Sequence, residues 1–350
     1  MIKAVNSLIC LVSLSLLLSG CITDEEGAAV EKVSLFTYEV KELADIDIIS
    51  DTVKTIELKS ADLSVPANPE KCIFAGSRIF VLDKRTMGAS ELLIFDSLGN
   101  CLGRIGAVGR GPGEYLNISD FAIAPGGGIW IEDPVANRLI KYRSDLSYDE
   151  ALSTDFDMEC MAFLDDGRML LGIPPWESEK MQIAVTDTLL KVEKVSLMYS
   201  EYVDPSITFG RPRFYRNDNV FYYSRPLDDN IYVCDDKGSL VKIYALDFGQ
   251  KSFSDEERLG AGAIFDSGEY REYTALYRFG IAGDRYVIGS MLDNGTFIDF
   301  VADRNAEILY KGDISDYGNI IGYDNGWLIS KVIPEKEDEH YKIELRKITL

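Results

Sequence analysis

The chain has 350 residues, of which 58 are acidic and 36 are basic, and its formal net charge at pH 7 is −22. A surface this negative repels nucleic acid and anionic lipid headgroups, which argues against a nucleic-acid partner. The single histidine, His340, excludes zinc sites built on several histidines. It also excludes Ser-His-Asp and Cys-His nucleophilic sites unless His340 itself serves in them.

The N-terminal segment, residues 1–20, has the pattern of a secretory signal peptide. Lys3 precedes an apolar run over 8–18, which is too short to span a bilayer because a membrane helix needs about 20 apolar residues. The run ends in the letters LSGC, which resemble the bacterial lipobox, in which the cysteine thiol accepts diacylglycerol before cleavage. We predict that Cys21 carries the lipid and begins the mature chain. The alternative is an ordinary secretory signal with a chance cysteine.

An acidic segment, ITDEEG, follows Cys21 directly. It resembles the signal that directs some Gram-negative lipoproteins to the outside of the outer membrane. We predict that residues 21–30 form an acidic linker and that the protein is an outer-membrane lipoprotein of the bacterial envelope, at the surface or the periplasmic face. The later cysteines lack close spacing, so we expect isolated buried thiols rather than a disulfide framework. They are Cys72, Cys101, Cys160 and Cys234.

Short β-rich segments recur along the rest of the chain, with turn residues between them, and helical periodicity is nearly absent. An apolar strand followed by a charged turn begins at Leu92, Arg138, Gln182, Ile231, Phe297 and Lys342. The spacings are 46, 44, 49, 66 and 45 residues. Strands such as IFVLD and ELLIFD are apolar at consecutive positions, as expected when both faces are covered by neighbouring blades. We predict one all-β domain over 31–350, a six-bladed β-propeller of four-stranded antiparallel blades.

The last repeat has no fourth strand of its own. The chain ends on a third-strand pattern, HYKIELRKITL, whereas the early segment TVKTIELKS at 52–60 lies apart from any complete repeat. We predict that this N-terminal strand supplies the missing outer strand of the last blade and closes the ring.

Several short segments carry a resemblance to a known family. They are GRGPGEY at 109–115, DF at 120–121, IED at 131–133 with NR at 137–138, and DN at 229–230 before IY. With these segments the chain resembles the six-bladed β-propeller lipoproteins related to NHL-repeat and TolB-like propellers, over roughly residues 30–350. The resemblance implies the fold. It implies little about activity, because many members of this group have no assigned activity.

The glycine-rich segment over 103–119 is not a phosphate-binding loop. A P-loop needs a Gly-Lys pair followed by Ser or Thr, and no lysine occurs there. A dinucleotide-binding turn needs Gly-x-Gly-x-x-Gly before a helix, whereas Pro112 interrupts these glycines and a β pattern follows them. We interpret the five glycines as corners with unusual φ angles, where the chain passes from the first blade to the second.

Long irregular segments indicate which face of the propeller is the binding face. Three of them, 103–119, 200–215 and 249–272, connect one blade to the next, and the fourth, IPPWESEK, joins a second strand to a third. In an up-and-down blade both kinds of loop emerge on the same face, which we call the connection face. Long loops on one face suggest use in binding, although they could also merely fill the mouth of the central channel. Ser254 and Glu257 have capping-box spacing, which predicts a short helix over this face.

Arginine and aromatic side chains are concentrated in these connections and at their edges. We predict ligand-binding roles for Arg110, Glu114, Tyr115, Trp176, Arg211, Arg213 and Tyr215. Guanidinium groups match carboxylates, and aromatic rings pack on sugar or peptide faces, so the ligand would be an anionic or glycan-like molecule, a peptide or a protein partner. The alternative is that the arginines pair with the chain's own carboxylates.

The sequence identifies no catalytic residue. Calcium needs only oxygen ligands, so a lactonase-like hydrolase or lyase that uses carboxylates and Ca²⁺ at the channel mouth is the alternative to a binding module. No Asp-x-Asp-x-Asp-Gly loop occurs, and we assign no metal ligand and no other cofactor. Carboxylate or amide oxygens converging on the propeller axis would favour the enzyme, whereas an axis lined by apolar side chains would favour the binding module, which is our prediction.

Overall fold

The computed structural model describes residues 30–34, 49–59, 66–85, 88–177, 179–206, 213–246, 248–282, 286–303, 308–312, 319–324, 327–336 and 340–349. The predicted signal peptide, Cys21 and all of the predicted linker except Val30 lie outside these residues.

The described chain consists mostly of short β-strands. The first six are β1 (Glu31–Ser34), β2 (Ile49–Glu57), β3 (Pro69–Ala75), β4 (Arg78–Asp83), β5 (Glu91–Asp96) and β6 (Cys101–Arg104). The next six are β7 (Ala107–Val108), β8 (Glu114–Tyr115), β9 (Phe121–Ile123), β10 (Ile129–Asp133), β11 (Arg138–Tyr142) and β12 (Tyr148–Ser153). They are followed by β13 (Cys160–Phe163), β14 (Met169–Gly172), β15 (Met181–Thr186) and β16 (Val192–Met198).

The second half of the chain continues this pattern and adds two short helices. Its first strands are β17 (Arg213–Asn217), β18 (Val220–Ser224), β19 (Asn230–Cys234) and β20 (Leu240–Ala245). Two helices follow, α1 (Asp255–Leu259) and α2 (Ala261–Ser267), flanked by 3₁₀ turns at Gly249–Lys251 and Glu269–Glu272. The last strands are β21 (Thr274–Ala282), β22 (Tyr286–Asp293), β23 (Thr296–Asp303), β24 (Ile308–Gly312), β25 (Asn319–Asp324), β26 (Trp327–Val332) and β27 (Lys342–Thr349).

The strands form a propeller of small antiparallel sheets, as predicted. Five sheets have four strands each: sheet I (β3–β6), sheet II (β9–β12), sheet III (β13–β16), sheet V (β21–β24) and sheet VI (β25–β27 with β2). Sheet IV (β17–β20) has a fifth strand, β1. Strands that follow one another in a sheet pair antiparallel, for example Val81 of β4 with Leu93 of β5. The six repeat segments found in the sequence all lie in the third strands β5, β11, β15, β19, β23 and β27.

Two N-terminal strands pair with the edges of later sheets. β2 lies antiparallel to β27, with Ile56 opposite Ile343, so it is the fourth strand of sheet VI. The strand predicted at 52–60 therefore forms, over Ile49–Glu57. β1 lies parallel to β20, with Val33 opposite Tyr244. β1 was not predicted, because its four residues, EKVS, contain no run of apolar or β-branched side chains.

The hydrophobic core lies between neighbouring sheets. In β4, Phe80 and Leu82 pack towards sheet II, whereas Ile79 and Val81 belong to a cluster with Ile329 and Ile343 of sheet VI. Successive side chains of a strand point to opposite faces, so one apolar run fills both interfaces of a blade. Burying one such side chain contributes roughly 1.5–3 kcal/mol relative to leaving it exposed. This double coverage explains why the second and third strands are apolar at consecutive positions.

Two further expectations concern the helix and the cysteines. The capping box at α1 is confirmed, because the Ser254 hydroxyl accepts a bond from the Glu257 amide and the Glu257 carboxylate accepts one from the Ser254 amide. The four cysteines of the described chain are free thiols, and three of them are buried. Within the described ranges, neither α1 nor α2 nor a 3₁₀ turn is long and apolar enough to cross a membrane.

Candidate functional site

The connection face is defined by where the strands of each sheet end. Because the four strands of a sheet run up and down in chain order, the turn after the second strand and the link after the fourth leave from the same end. In the described chain these segments are 105–120 after β6, 199–206 after β16, 248–273 after β20, and the shorter turns such as 225–229 after β18. Both helices belong to this face.

The segment GRGPGEY folds into a closed loop on the connection face. β7 and β8 pair in parallel, with Val108 opposite Tyr115, and the Glu114 carboxylate accepts a 2.6 Å hydrogen bond from the Gly111 amide. A Cβ on Gly109 would overlap this carboxylate. Gly109 and Gly111 do not have positive φ angles, so our interpretation of all five glycines as φ-permissive corners is wrong for these two. Their role is to leave room for Glu114.

The remaining glycines of this segment do occupy the left-handed region. Gly103, Gly106 and Gly113 have φ angles of +139°, +59° and +71°. A Cβ on Gly106 would lie 2.5 Å from the Tyr142 hydroxyl and 2.6 Å from the Gly113 carbonyl oxygen. The Tyr142 hydroxyl donates a 2.8 Å hydrogen bond to that same carbonyl, which ties the loop to sheet II. The loop is therefore a packed junction between sheets I and II.

The three predicted ligand-binding residues of this loop have different surroundings. Tyr115 has no exposed surface, and its ring belongs to the core between sheets I and II. Burial raises the pKa of Tyr115 to about 12. Glu114 closes the loop internally, and its backbone oxygen accepts a 2.9 Å bond from Arg138. Arg110 alone of the three is exposed.

The other predicted ligand-binding residues do not share one pocket. Trp176 is 47% exposed in the turn between β14 and β15, and its indole N–H donates to Asp157 at 2.8 Å. Arg213 and Tyr215 belong to β17 and line the central cavity. Arg211 lies outside the described residues.

The described arginines of the first two connections are mostly paired with carboxylates of the chain. Arg104 contacts Glu91 at 2.6 Å, and Arg216 contacts Asp165 at 2.8 Å. Arg213 donates to both the backbone and the carboxylate of Glu70. This is the alternative that the sequence left open, and it accounts for three of the arginines without a ligand.

The central cavity has a volume of about 390 Å³ and is lined by the first strands of sheets I, II, III, IV and VI. Apolar side chains such as Ile73, Ile123, Phe163 and Ile321 make up much of its wall. Asp218 is the single carboxylate among the lining residues that the structure describes. The described part of the chain also contains no group of three His, Cys, Asp or Glu side chains placed to hold a metal ion.

A charged pair links three sheets beside this cavity. The Lys71 ammonium lies 2.7 Å from the Asp120 carboxylate, and both side chains are less than 10% exposed. Lys71 also donates to the Phe121 carbonyl at 2.7 Å, and Asp120 accepts a 2.8 Å bond from the Met161 amide. Because these contacts satisfy both charges within the protein, the pair is a structural link between first strands.

A second cavity, of about 330 Å³, opens on the connection face between sheets III and IV. We call it the connection-face pocket. Its walls are the end of β16 with residues 199–204, the turn at 225–229, the start of β19, and α1. It is therefore formed by two of the three long connections that the sequence nominated, together with a short turn that it did not.

The carboxylate of Asp228 organises one wall of the connection-face pocket. One of its oxygens accepts hydrogen bonds from the Asn230 amide at 2.9 Å and the Tyr232 hydroxyl at 2.8 Å. The other oxygen accepts a 2.9 Å bond from the Gln182 amide on β15. These neutral donors come from both sheets, so the network joins sheet III to sheet IV at the pocket wall.

Arg225 occupies the floor of the connection-face pocket. It is 7% exposed, it forms an ion pair with Glu159, and it donates a 2.8 Å hydrogen bond to the Tyr199 hydroxyl. Tyr199 in turn donates to the Ile173 carbonyl at 2.6 Å. Burial raises the pKa of Tyr199, so this hydroxyl stays protonated and acts as a donor at neutral pH.

Helix α1 is attached to the pocket through a buried ion pair. Arg258 of α1 contacts the carboxylate of Asp229, which is 4% exposed and also accepts a 3.1 Å bond from the Leu276 amide. Burial raises the pKa of Asp229 to about 6, although the nearby Arg258 guanidinium lowers it. The helix therefore has a defined position over the pocket.

Sequence reasoning missed Arg225, Asp228 and Tyr199 as candidate residues. The turn at 225–229, which brings Arg225 and Asp228 to the pocket, has only five residues. A selection based on long loops therefore misses it. The DN pair before IY, which is part of the family resemblance, could have drawn attention to this turn. Its neighbour Asp228 makes the bonds to Asn230 and Tyr232.

Comparison with known proteins gives a family but no activity. Residues 36–335 match the family described as a domain of unknown function, DUF4934. No curated protein matches the sequence significantly.

Solved structures support the fold. A protein from Bacteroides fragilis NCTC 9343 whose name describes it as exported is similar, with a TM-score of 0.69 and 16% identity, covering 92% of this chain and 99% of that one. A DUF4221-family protein from Bacteroides vulgatus has a TM-score of 0.58 and 13% identity, covering 86% of this chain and 98% of the other. At these identities the likeness concerns the fold alone.

Proposed function

The chain belongs to the DUF4934 family, and we propose that it acts as a lipid-anchored binding module of the bacterial cell envelope. In this proposal the connection-face pocket receives the ligand or the partner's side chain. The propeller supplies a rigid support, and Cys21 supplies the membrane anchor. The chemistry is binding rather than turnover.

The architecture that we propose is a closed six-bladed ring. Its support comes from packing at the junction of sheets VI and I, where Ile343 and Ile329 share one core cluster with Val81 and Leu93. The pairing of β2 with β27 joins the two ends of the chain within sheet VI. In such a closure, an N-terminal strand completes the last blade, and side-chain packing joins that blade to the first.

The proposed location rests on the N-terminal sequence and on one relative. The signal-peptide pattern and the LSGC motif support export and lipidation at Cys21, and the acidic residues after it support the outer membrane. The similar Bacteroides fragilis protein has a name that describes it as exported. Two or three acyl chains on Cys21 would give a stable anchor, whereas a single chain would be marginal.

The connection-face pocket is the observation that carries the proposed binding function. It combines a volume of about 330 Å³ with a buried Arg225 on its floor and an Asp228 carboxylate that hydrogen bonds hold in place on its wall. Pockets of 300–1,000 Å³ with a few placed polar groups are typical of ligand sites. Apolar and polar side chains, among them Lys71 and Arg216, share the wall of the central cavity, so the proposed binding function rests on the connection-face pocket alone.

Two exposed predicted residues stay candidates for contacts at the rim. Arg110 and Trp176 are exposed on the connection face, where a partner larger than the pocket would reach them. Arg211 also stays a prediction. We propose no direct ligand contact for Tyr115, because its side chain is fully buried.

Filling the pocket tests this function. Met198, at the end of β16, lines the pocket and is 52% exposed. Met198→Trp therefore places a bulky indole ring in the pocket with little disturbance of the core. A library of neutral saccharides, short peptides and dicarboxylates is screened against the full chain in detergent by thermal shift, and hits are measured by calorimetry. We expect Met198→Trp to weaken binding at least about tenfold, or 1.4 kcal/mol.

Leu189→Trp is the matched control for this experiment. Leu189 is 72% exposed in the turn between β15 and β16, at the end of sheet III opposite the connection face. The same type of substitution there should leave affinity unchanged. Hits that bind Met198→Trp as tightly as the wild type would place the ligand elsewhere and contradict the proposal.

A further inference from the structure

We infer that the connection-face pocket binds an uncharged saccharide unit. This inference rests on the proposed binding function and names the chemical class of its ligand. Three properties of the pocket carry it: donors and acceptors intermixed on its walls, the balance of charge around it, and aromatic rings beside the polar groups.

The pocket is lined by both donors and acceptors. Arg225, Asn230 and Arg258 present N–H groups, whereas Asp204, Asp228 and Asp255 present carboxylate oxygens. A guanidinium has five N–H donors and a carboxylate about four acceptor positions, so the bonds within the protein use only part of this capacity. An ammonium ligand could only donate and a phosphate or carboxylate ligand could only accept. A hydroxyl does both, so a polyol matches a wall on which the two kinds of group are mixed.

The charge balance disfavours an anionic ligand. The two cations of the pocket are already neutralised, Arg225 by Glu159 and Arg258 by Asp229. The carboxylates of Asp204 and Asp228, in contrast, are bonded to neutral donors such as the Gly262 amide and the Gln182 side chain.

An added anion would therefore meet excess negative charge in a partly buried site, where Coulomb repulsion is less screened than in water. The sequence suggested an anionic ligand because arginines are frequent in the connections. Three of those arginines, Arg104, Arg213 and Arg216, pair with carboxylates of the chain, which weakens that reason and favours the glycan-like alternative.

Aromatic rings line the pocket beside these polar groups. Tyr202 is half-buried in the 199–204 segment, and the ring of Tyr232 lies against the Asp228 network. Aromatic rings pack on the apolar C–H faces of sugars while neighbouring polar groups bond the hydroxyls. A volume of about 330 Å³ is at the small end of ligand pockets and suits one or two sugar residues.

A glycan array carrying neutral, uronic-acid and sulfated saccharides tests the inference, with the full chain in detergent. We expect neutral glycans to bind, and their acidic analogues of the same linkage to bind at least about tenfold more weakly. Calorimetry with the strongest free neutral saccharide then compares two variants at one position. Tyr202→Phe keeps the ring and should stay within about twofold of the wild type, whereas Tyr202→Ala should lose at least about tenfold in affinity.

Outcomes that contradict the inferred ligand class differ from those that contradict the proposed pocket. If acidic glycans bind best, or if no saccharide binds, the inferred ligand class is wrong. A peptide or dicarboxylate whose binding is lost in Met198→Trp would also overturn the saccharide inference, while leaving the proposed pocket in place. Saccharide binding that is indifferent to both Met198→Trp and Tyr202→Ala would overturn the proposed pocket itself.

Discussion

Among single residues, the buried carboxylate of Asp229 holds helix α1 to the connection face, and its pKa is raised by burial. Its neighbours donate to it from two directions, the Arg258 guanidinium and the Leu276 amide, yet burial still raises its pKa from 3.8 to about 6. Desolvation of the charged form therefore outweighs these favourable contacts. The ion pair that attaches α1 to the pocket therefore includes a free-energy cost for desolvating this carboxylate.

This gives a pH prediction with a definite sign. The folded pKa of Asp229 is above the unfolded one, so between about pH 4 and pH 6 the folded state binds more protons, and the free energy of unfolding falls as pH rises. Two pKa units correspond to roughly 3 kcal/mol. Relative to Asp229→Asn, the wild type should lose stability by up to that amount between pH 4 and pH 7 in urea unfolding. Asp145→Asn is the control, because hydrogen bonds from Ser147 lower the pKa of this exposed carboxyl and the trend should have the opposite sign. A flat difference for Asp229→Asn would contradict the pKa shift.

Gly106 gives a second prediction at this scale. A Cβ there meets the Gly113 carbonyl at 2.6 Å, and its φ of +59° is unfavourable for other residues. We expect Gly106→Ala to lower the free energy of unfolding by about 1–3 kcal/mol. Gly126→Ala is the control, since nothing lies within 4 Å of its Cβ and its φ is not positive. Equal stability of the two variants would mean that the loop relaxes without cost.

At the element scale, β2 is the strand whose position depends on the most distant pairing. Its partner β27 lies at the other end of the chain, and Ile56 of β2 is 4% exposed in the cluster that also contains Ile343. The exposed Thr55 is its neighbour on the same strand. This alternation places one side chain in the core and the next in solvent.

Truncation of these two neighbours tests the placement of β2. Ile56→Ala should cost about 2–5 kcal/mol of unfolding free energy, because it removes a buried side chain and leaves a cavity. Thr55→Ala should change it by less than about 1 kcal/mol. Both are measured by urea unfolding. Equal effects would mean that β2 does not pack against sheets I and VI as described.

At the scale of the whole molecule, the proposed membrane attachment depends on one thiol. Cys21→Ala should move the protein from the membrane fraction to the soluble fraction, because the acyl chains on this thiol are the proposed attachment. Cys101→Ala, a half-buried cysteine within sheet I, is the control and should remain in the membrane fraction. Fractionation followed by immunoblotting distinguishes the two. Membrane retention of Cys21→Ala would remove the lipid anchor from the proposed function.

The residues of the candidate site could be predicted only in part. Sequence reasoning selected the connection face from its long segments, and the connection-face pocket lies there. It also selected Tyr115 for an aromatic ring that proves to be fully buried, and it overlooked Arg225 and Asp228. Exposure and pairing depend on which strands become neighbours, and a residue's type or the length of its loop does not contain that information.

The all-β class, the four-stranded repeat and the up-and-down order of four successive strands in a sheet could be predicted from the sequence. This was possible because these features follow from local alternation, turn residues and a repeat period. Only the tertiary structure decided that β1 joins sheet IV, that Gly109 makes room for Glu114, and that Gln182 and Asn230 meet at one carboxylate. These contacts join residues of different sheets or different turns. They depend on how the sheets pack, because packing alone sets which side chains face each other and which charges are neutralised.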